Sequence, residues 1–96
     1  MTNETDPKDW IQWNNKGVLL AKQKRFEEAL ECLDQSIKLN LQEGDVWLSK
    51  GHVLIKLRRY KEALQCFRTA RSLGHQDEQS KAVIEFLEGY GGNIPI

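Results

Sequence analysis

The sequence has no surplus of charge of either sign. Fourteen lysines and arginines face fourteen aspartates and glutamates, so no long-range field draws the chain toward nucleic acid or an anionic membrane, and charge effects must be local. It also lacks any apolar run approaching the roughly 20 residues of a membrane span, and the start MTNETDPKDW lacks the basic and apolar segments of a secretory leader. A soluble, cytoplasmic protein is expected, with no nucleic-acid partner and no membrane. Cysteine is scarce: Cys32 and Cys66 are too few for a disulfide scaffold and form no CxxC pair, which removes the usual zinc-binding spacings. Two prolines and seven glycines are too few for a fibrous or low-complexity chain. Ninety-six residues suit a single domain over 1–96 with a modest core, since a chain this small buries only about 60% of its unfolded surface.

What the chain does have is a repeat. Laid so that Trp13 falls on Trp47, WNNKGVLLAKQKRFEEALECLDQSIKL (13–39) matches WLSKGHVLIKLRRYKEALQCFRTARSL (47–73), with eleven of 27 positions identical. A period of this length marks a solenoid built from one supersecondary unit. The units span about 7–40 and 41–74, and each divides into two helices. The first helix is expected over about 7–22, opened by Asp6 as N-cap with Pro7 at the first helical position, and its counterpart over about 43–57. The second helices begin near Phe26 and Tyr60, with Ala29, Cys32, Leu33, Ser36 and Ile37 at helical spacing, echoed by Ala63, Cys66, Phe67 and Ala70. Gly17, one turn after Trp13, together with Ala29 on the facing helix lets the two backbones approach. The trio returns as Trp47, Gly51 and Ala63, and leucine at either glycine is expected to overpack the hairpin.

Beyond residue 74 the signature lapses: Lys81 stands where a third Trp would fall and Glu85 where the Gly would. Ala82, Val83, Ile84, Phe86, Leu87 and Tyr90 still form an apolar face opposite Glu78, Lys81, Glu85 and Glu88. A capping helix over about 76–90 is expected, followed by a flexible tail over 91–96.

The run Trp, two residues, Lys-Gly, two residues, Leu, followed by Ala29, Leu33 and Ser36, resembles the tetratricopeptide repeat (TPR), and Asp6-Pro7 resembles that family's repeat junction. The resemblance covers about residues 6–74. It departs from the family pattern in the Lys before each Gly, in Leu20 and Leu54 where Tyr is usual, and in Leu41 at the junction proline. It implies an all-α solenoid of two antiparallel helical hairpins and a capping helix, with the first helices lining a concave face.

Residues for catalysis are few. His52 and His75 lie far apart in the chain, one within a helix and one in the junction before the cap, and fit solvated or groove-lining roles better than a reaction centre, so no enzyme activity, cofactor or metal is expected. Cys32 and Cys66 occupy equivalent places on stacked helices about 8–10 Å apart, beyond the ~7 Å reach of a disulfide, and should be free, buried thiols. Lys22, Lys24 and Arg25 recur as Lys56, Arg58 and Arg59 near the hairpin turns. They complement helix C-termini, or together form a basic rim for an acidic partner. Trp10 has no copy, Gly44 standing in its place, and it caps the first repeat or offers an aromatic contact.

The resemblance places a peptide-binding groove on the first helices. Its expected lining is Leu48, His52, Ile55 and Lys56 from the second unit, and Ile11, Asn14, Val18 and Lys22, with Ala21, from the first. Phe86 closes the far end. The partner is then a protein or peptide, bound as an extended segment or a short helix. Two alternatives stand beside this. Leu48 and Ile55 rest on the capping helix instead, or the module is an assembly unit that self-associates as a homo-oligomer through the open ends of the stack. Relatives that clamp the acidic EEVD-type terminus of heat-shock chaperones use Lys, Asn, Asn, Lys and Arg. Asn14, Val18, Ser49, Gln79 and Val83 fill those places here, and binding of that motif is not expected.

Overall fold

Apolar side chains returning every three or four positions close into helices: α1 (Asp9–Lys22), α2 (Phe26–Leu39), α3 (Gly44–Lys56), α4 (Tyr60–Ser72) and α5 (Glu78–Glu88). The structure, a computed structural model, describes residues 9–75 and 78–89. The expected Asp6-Pro7 helix start, Tyr90 and the tail over 91–96 lie outside them. Among the described residues there is no strand, and no helix is long and apolar enough to cross a membrane.

α1 packs on α2 and α3 on α4; α2 joins the two hairpins by packing on α3, and α5 packs on α4. The hairpin turns are alike in both units. Lys24 and Arg58 take left-handed backbone (φ 63° and 61°), which lets the amides of Arg25 and Arg59 donate to the carbonyls of Leu20 and Leu54 at 2.9 and 2.8 Å. A non-glycine residue there costs about 1–2 kcal/mol. The two following arginines belong to the start of the next helix rather than to the end of the last one. Arg25 Nε donates to Glu28 Oε1 at 2.9 Å and Arg59 Nε to Glu62 Oε1 at 2.9 Å, a bond that holds the Glu62 carboxyl below its usual range. Both pairs are exposed and so add little stability, but they remove two of the six cations from the expected rim.

The glycines do what their spacing suggests, and each also meets a bulky side chain of the facing helix. A Cβ on Gly17 would stand 2.8 Å from Leu33 Cγ and 3.2 Å from the Ala29 carbonyl oxygen, and one on Gly51 would stand 2.9 Å from Phe67 Cε2. The close approach is thus made to the Ala29 backbone and to Leu33 in the first hairpin, and to Phe67, one turn beyond Ala63, in the second. Leu33, Val46, Leu54, Phe67 and Ile84 are the large side chains sealed inside. Within the first hairpin Ser36 Oγ donates to the Trp10 carbonyl at 2.7 Å, and between the hairpins Lys50 Nζ pairs with Asp34 at 2.7 Å.

α5 keeps the repeat's register although it has lost the repeat's signature. Ser80 stands one repeat after Val46 and is buried like it, and Ile84 and Leu87 are buried beside it. An Arg68–Glu88 pair at 2.7 Å holds the helix against α4. α5 therefore stands where the first helix of a third unit would.

Candidate peptide-binding groove

The last two turns of α1 and α3 run beside each other and leave a hollow of about 290 Å³. Val18, Ala21 and Lys22 come from α1, Phe26 and Leu33 from α2, and Ser49, His52, Val53 and Lys56 from α3. Five of the expected groove residues, Val18, Ala21, Lys22, His52 and Lys56, are brought together here. The floor is apolar and the lysines are at the rim. Each lysine sits in the last turn of its helix, where the partial negative charge of the helix end favours a cation. Among the described residues neither forms an ion pair, whereas Arg25, Lys50, Arg59 and Arg68 all do.

His52 is held edge-on against Phe67, with ring centroids 5.1 Å apart and planes at 81°. The imidazole is thereby a fixed wall rather than a swinging side chain. Phe26 and Ser49 were not assigned to the groove by sequence reasoning. A signal existed: an aromatic residue opens the second helix of both units, Phe26 and Tyr60.

A second apolar hollow, of about 270 Å³, lies between α3, α4 and α5 and is lined by Ile55, Tyr60, Ala82, Val83, Phe86 and Leu87. Ile55 and Phe86 thus lie together, apart from His52 and Val18. The two hollows are related by the repeat. Ala21, Phe26, Ser49, His52 and Val53 of the first correspond, one repeat further along the chain, to Ile55, Tyr60, Val83, Phe86 and Leu87 of the second. Leu48 lines neither, being half-buried against the core. Ile11 is 43% exposed, on the same face of α1 as Val18 but two turns earlier, and Asn14, half-buried, has a side-chain oxygen without a hydrogen-bond partner among the described residues. These two lie toward the start of α1, outside both hollows.

One polar cluster was invisible in the sequence because its members come from opposite ends of the second unit. His75 Nδ1 lies 3.0 Å from Asp45 Oδ1, and Nε2 lies 3.5 Å from Glu43 Oε1. The ring rests over Gly44, where a Cβ would come within 2.5 Å of it. That overlap explains why glycine, and not a second Trp, occupies the position equivalent to Trp10. The three residues bring ligand-type atoms within 4.8 Å of one another. The carboxylates approach opposite nitrogens of one ring, however, so a cation on either nitrogen would lie away from the other acid. The arrangement works as a clasp between the start of α3 and the end of the second hairpin.

Cys32 and Cys66 are buried free thiols, and burial pushes both pKa values up, that of Cys66 to about 11. They are unreactive core residues rather than nucleophiles. Among the described residues the site therefore offers shape, apolar contact and two positive charges, with no activated group. Two family models, each described as tetratricopeptide repeat, match the chain over residues 10–41 and 44–73. No curated protein matches the sequence.

Proposed function

The chain belongs to the tetratricopeptide repeat family, whose repeats generally serve as protein–protein interaction modules, and on that premise we propose that it is a non-catalytic module holding a partner peptide in the groove between α1 and α3. The observation that carries this reading is the apolar hollow itself, with Lys22 and Lys56 on its rim and neither in an ion pair among the described residues. Its volume is at the lower end of ligand pockets, about 300 Å³, which suits one anchoring side chain of a peptide rather than a whole small molecule. The lysines add orientation and speed of encounter more than raw affinity.

The test uses peptides selected from a random display library on the wild-type domain. Val18→Glu and His52→Glu each put a carboxylate in the hollow four residues before Lys22 or Lys56, so apolar contact is lost and the rim lysine is drawn into an ion pair within its own helix. Each is expected to weaken the selected peptides at least tenfold while the far-ultraviolet circular dichroism stays helical. Lys38→Glu, on the exposed face of α2, serves as the control and should leave affinity unchanged. Retained binding in folded Val18→Glu and His52→Glu proteins would remove the groove from the account.

A further inference from the structure

We propose that the groove takes a two-anchor acidic peptide: one apolar side chain in each hollow, and a carboxylate between them on Lys56. This rests on the groove reading above and specifies its ligand. The two hollows are the same place in successive units of the repeat, and so are displaced from each other by one step of the stack. Packed helices are spaced about 8–10 Å apart. An extended peptide of polyproline-II form, with three residues per turn and a rise of about 3.1 Å, carries the side chains of residues i and i+3 on one face about 9 Å apart. A helical peptide spans the same step with residues i and i+7, about 10 Å apart. No strand is present among the described residues, so pairing of a peptide with a sheet edge is not the mode of binding here.

Lys56 fixes the charge of the ligand. It lines the first hollow, it is the repeat counterpart of Lys22, and its neighbour Ile55 lines the second hollow. It therefore stands on the ridge between the two hollows, and its ammonium has no ion-pair partner among the described residues. A carboxylate between the anchors of a bound peptide meets it there. The hollows are alike in position but not in chemistry. Ser49 and His52 give the first a polar wall, and Val83 and Phe86 replace them in the second. The second anchor is accordingly the more strictly apolar one.

Fluorescence anisotropy with the full chain and short labelled synthetic peptides tests this. The peptides carry two leucines at the i, i+3 or the i, i+7 spacing with a glutamate between; matched peptides have either leucine changed to serine, or the glutamate changed to lysine. At either spacing, the two-leucine peptide is expected to bind at least tenfold tighter than both single-leucine peptides, since each buried leucine contributes more than a tenfold factor. Phe86→Ser, a change at a residue 64% exposed, should erase the advantage of the second leucine and spare the first. Lys56→Glu should reverse the preference from the glutamate peptide to the lysine peptide. Single-leucine peptides binding as tightly as two-leucine peptides would overturn the proposal while leaving the groove reading in place. Absence of binding by every one of these peptides overturns the two-anchor ligand, and the groove reading falls with it only if the display-selected peptides also bind Val18→Glu and His52→Glu unchanged. A concentration-dependent dimer in sedimentation, lost in Phe86→Ser, would give the second hollow to another copy of the chain and also overturn the two-anchor ligand.

Discussion

Phe67→Ala is expected to lower the free energy of unfolding by about 3–5 kcal/mol, the usual cost of emptying a buried phenylalanine site. Phe67 heads the fully buried side chains and has no exposed surface. A domain of this length has only about 5–14 kcal/mol in total, so the variant should be marginal or unfolded at body temperature in a denaturant titration followed by circular dichroism. The ring has two neighbours that make the effect specific. Gly51, whose absent Cβ would lie 2.9 Å from the ring, and His52, whose imidazole meets it in a T-shaped contact, both approach it from α3. Gly51→Ala should accordingly destabilise the wild type by about 1–3 kcal/mol through overpacking, and by less in a Phe67→Leu background, where space has opened. That non-additivity is the signature of direct contact. A strictly additive result would show that the hairpin does not close on this pair.

The second large effect is alkaline. Burial raises the Cys66 pKa to about 11 in the folded protein, against an ordinary value of 9.0. A group whose folded-state pKa is raised favours folding while it is protonated. Its contribution is fully present below pH 9 and is lost as pH rises through about 11, amounting to about 2–3 kcal/mol for a shift of this size. Cys32 moves in the same direction for the same reason. Urea titrations between pH 8.5 and 11 should show wild-type stability falling more steeply than that of Cys66→Ala, the difference between the two curves isolating the Cys66 thiol. At pH 8 the same shift lowers the thiolate fraction about a hundredfold. Native protein should therefore react with a thiol reagent only at the rate at which it opens. Equal slopes, or prompt labelling of the native state, would contradict the buried placement of the cysteines.

The repeat made much of this legible. The shift of Trp13 onto Trp47 placed the helices, and the pairing of glycine with an aromatic residue one turn earlier marked where backbones approach. Reading the shift as ended at residue 74 hid the rest. Lys81 and Glu85 replace the signature Trp and Gly because, among the described residues, α5 has no hairpin partner of its own to press against, so nothing demands a small residue there. Leu87, buried at the place of Val53, kept both register and apolar character, while Val83 and Phe86 put apolar side chains where Ser49 and His52 stand in the second unit. Phe86 lines a second hollow together with Ile55. His52 was identified as a groove residue from its helical position, yet its contact with Phe67 is a tertiary fact that periodicity does not carry. The clasp of Glu43, Asp45 and His75 was hidden for the same reason. The basic rim shrank once Arg25 and Arg59 proved to pair with the first turn of the helix that follows each.

The most direct test of the groove is a titration of the isotopically labelled domain with a display-selected peptide, followed in amide nitrogen–proton correlation spectra. The account predicts shifts concentrated at Val18, Ala21, Ser49, His52 and Lys56. Shifts gathered instead on the outer faces of α2 and α4, at Glu31, Lys38 and Gln65, with Val18 and His52 unmoved, would contradict it.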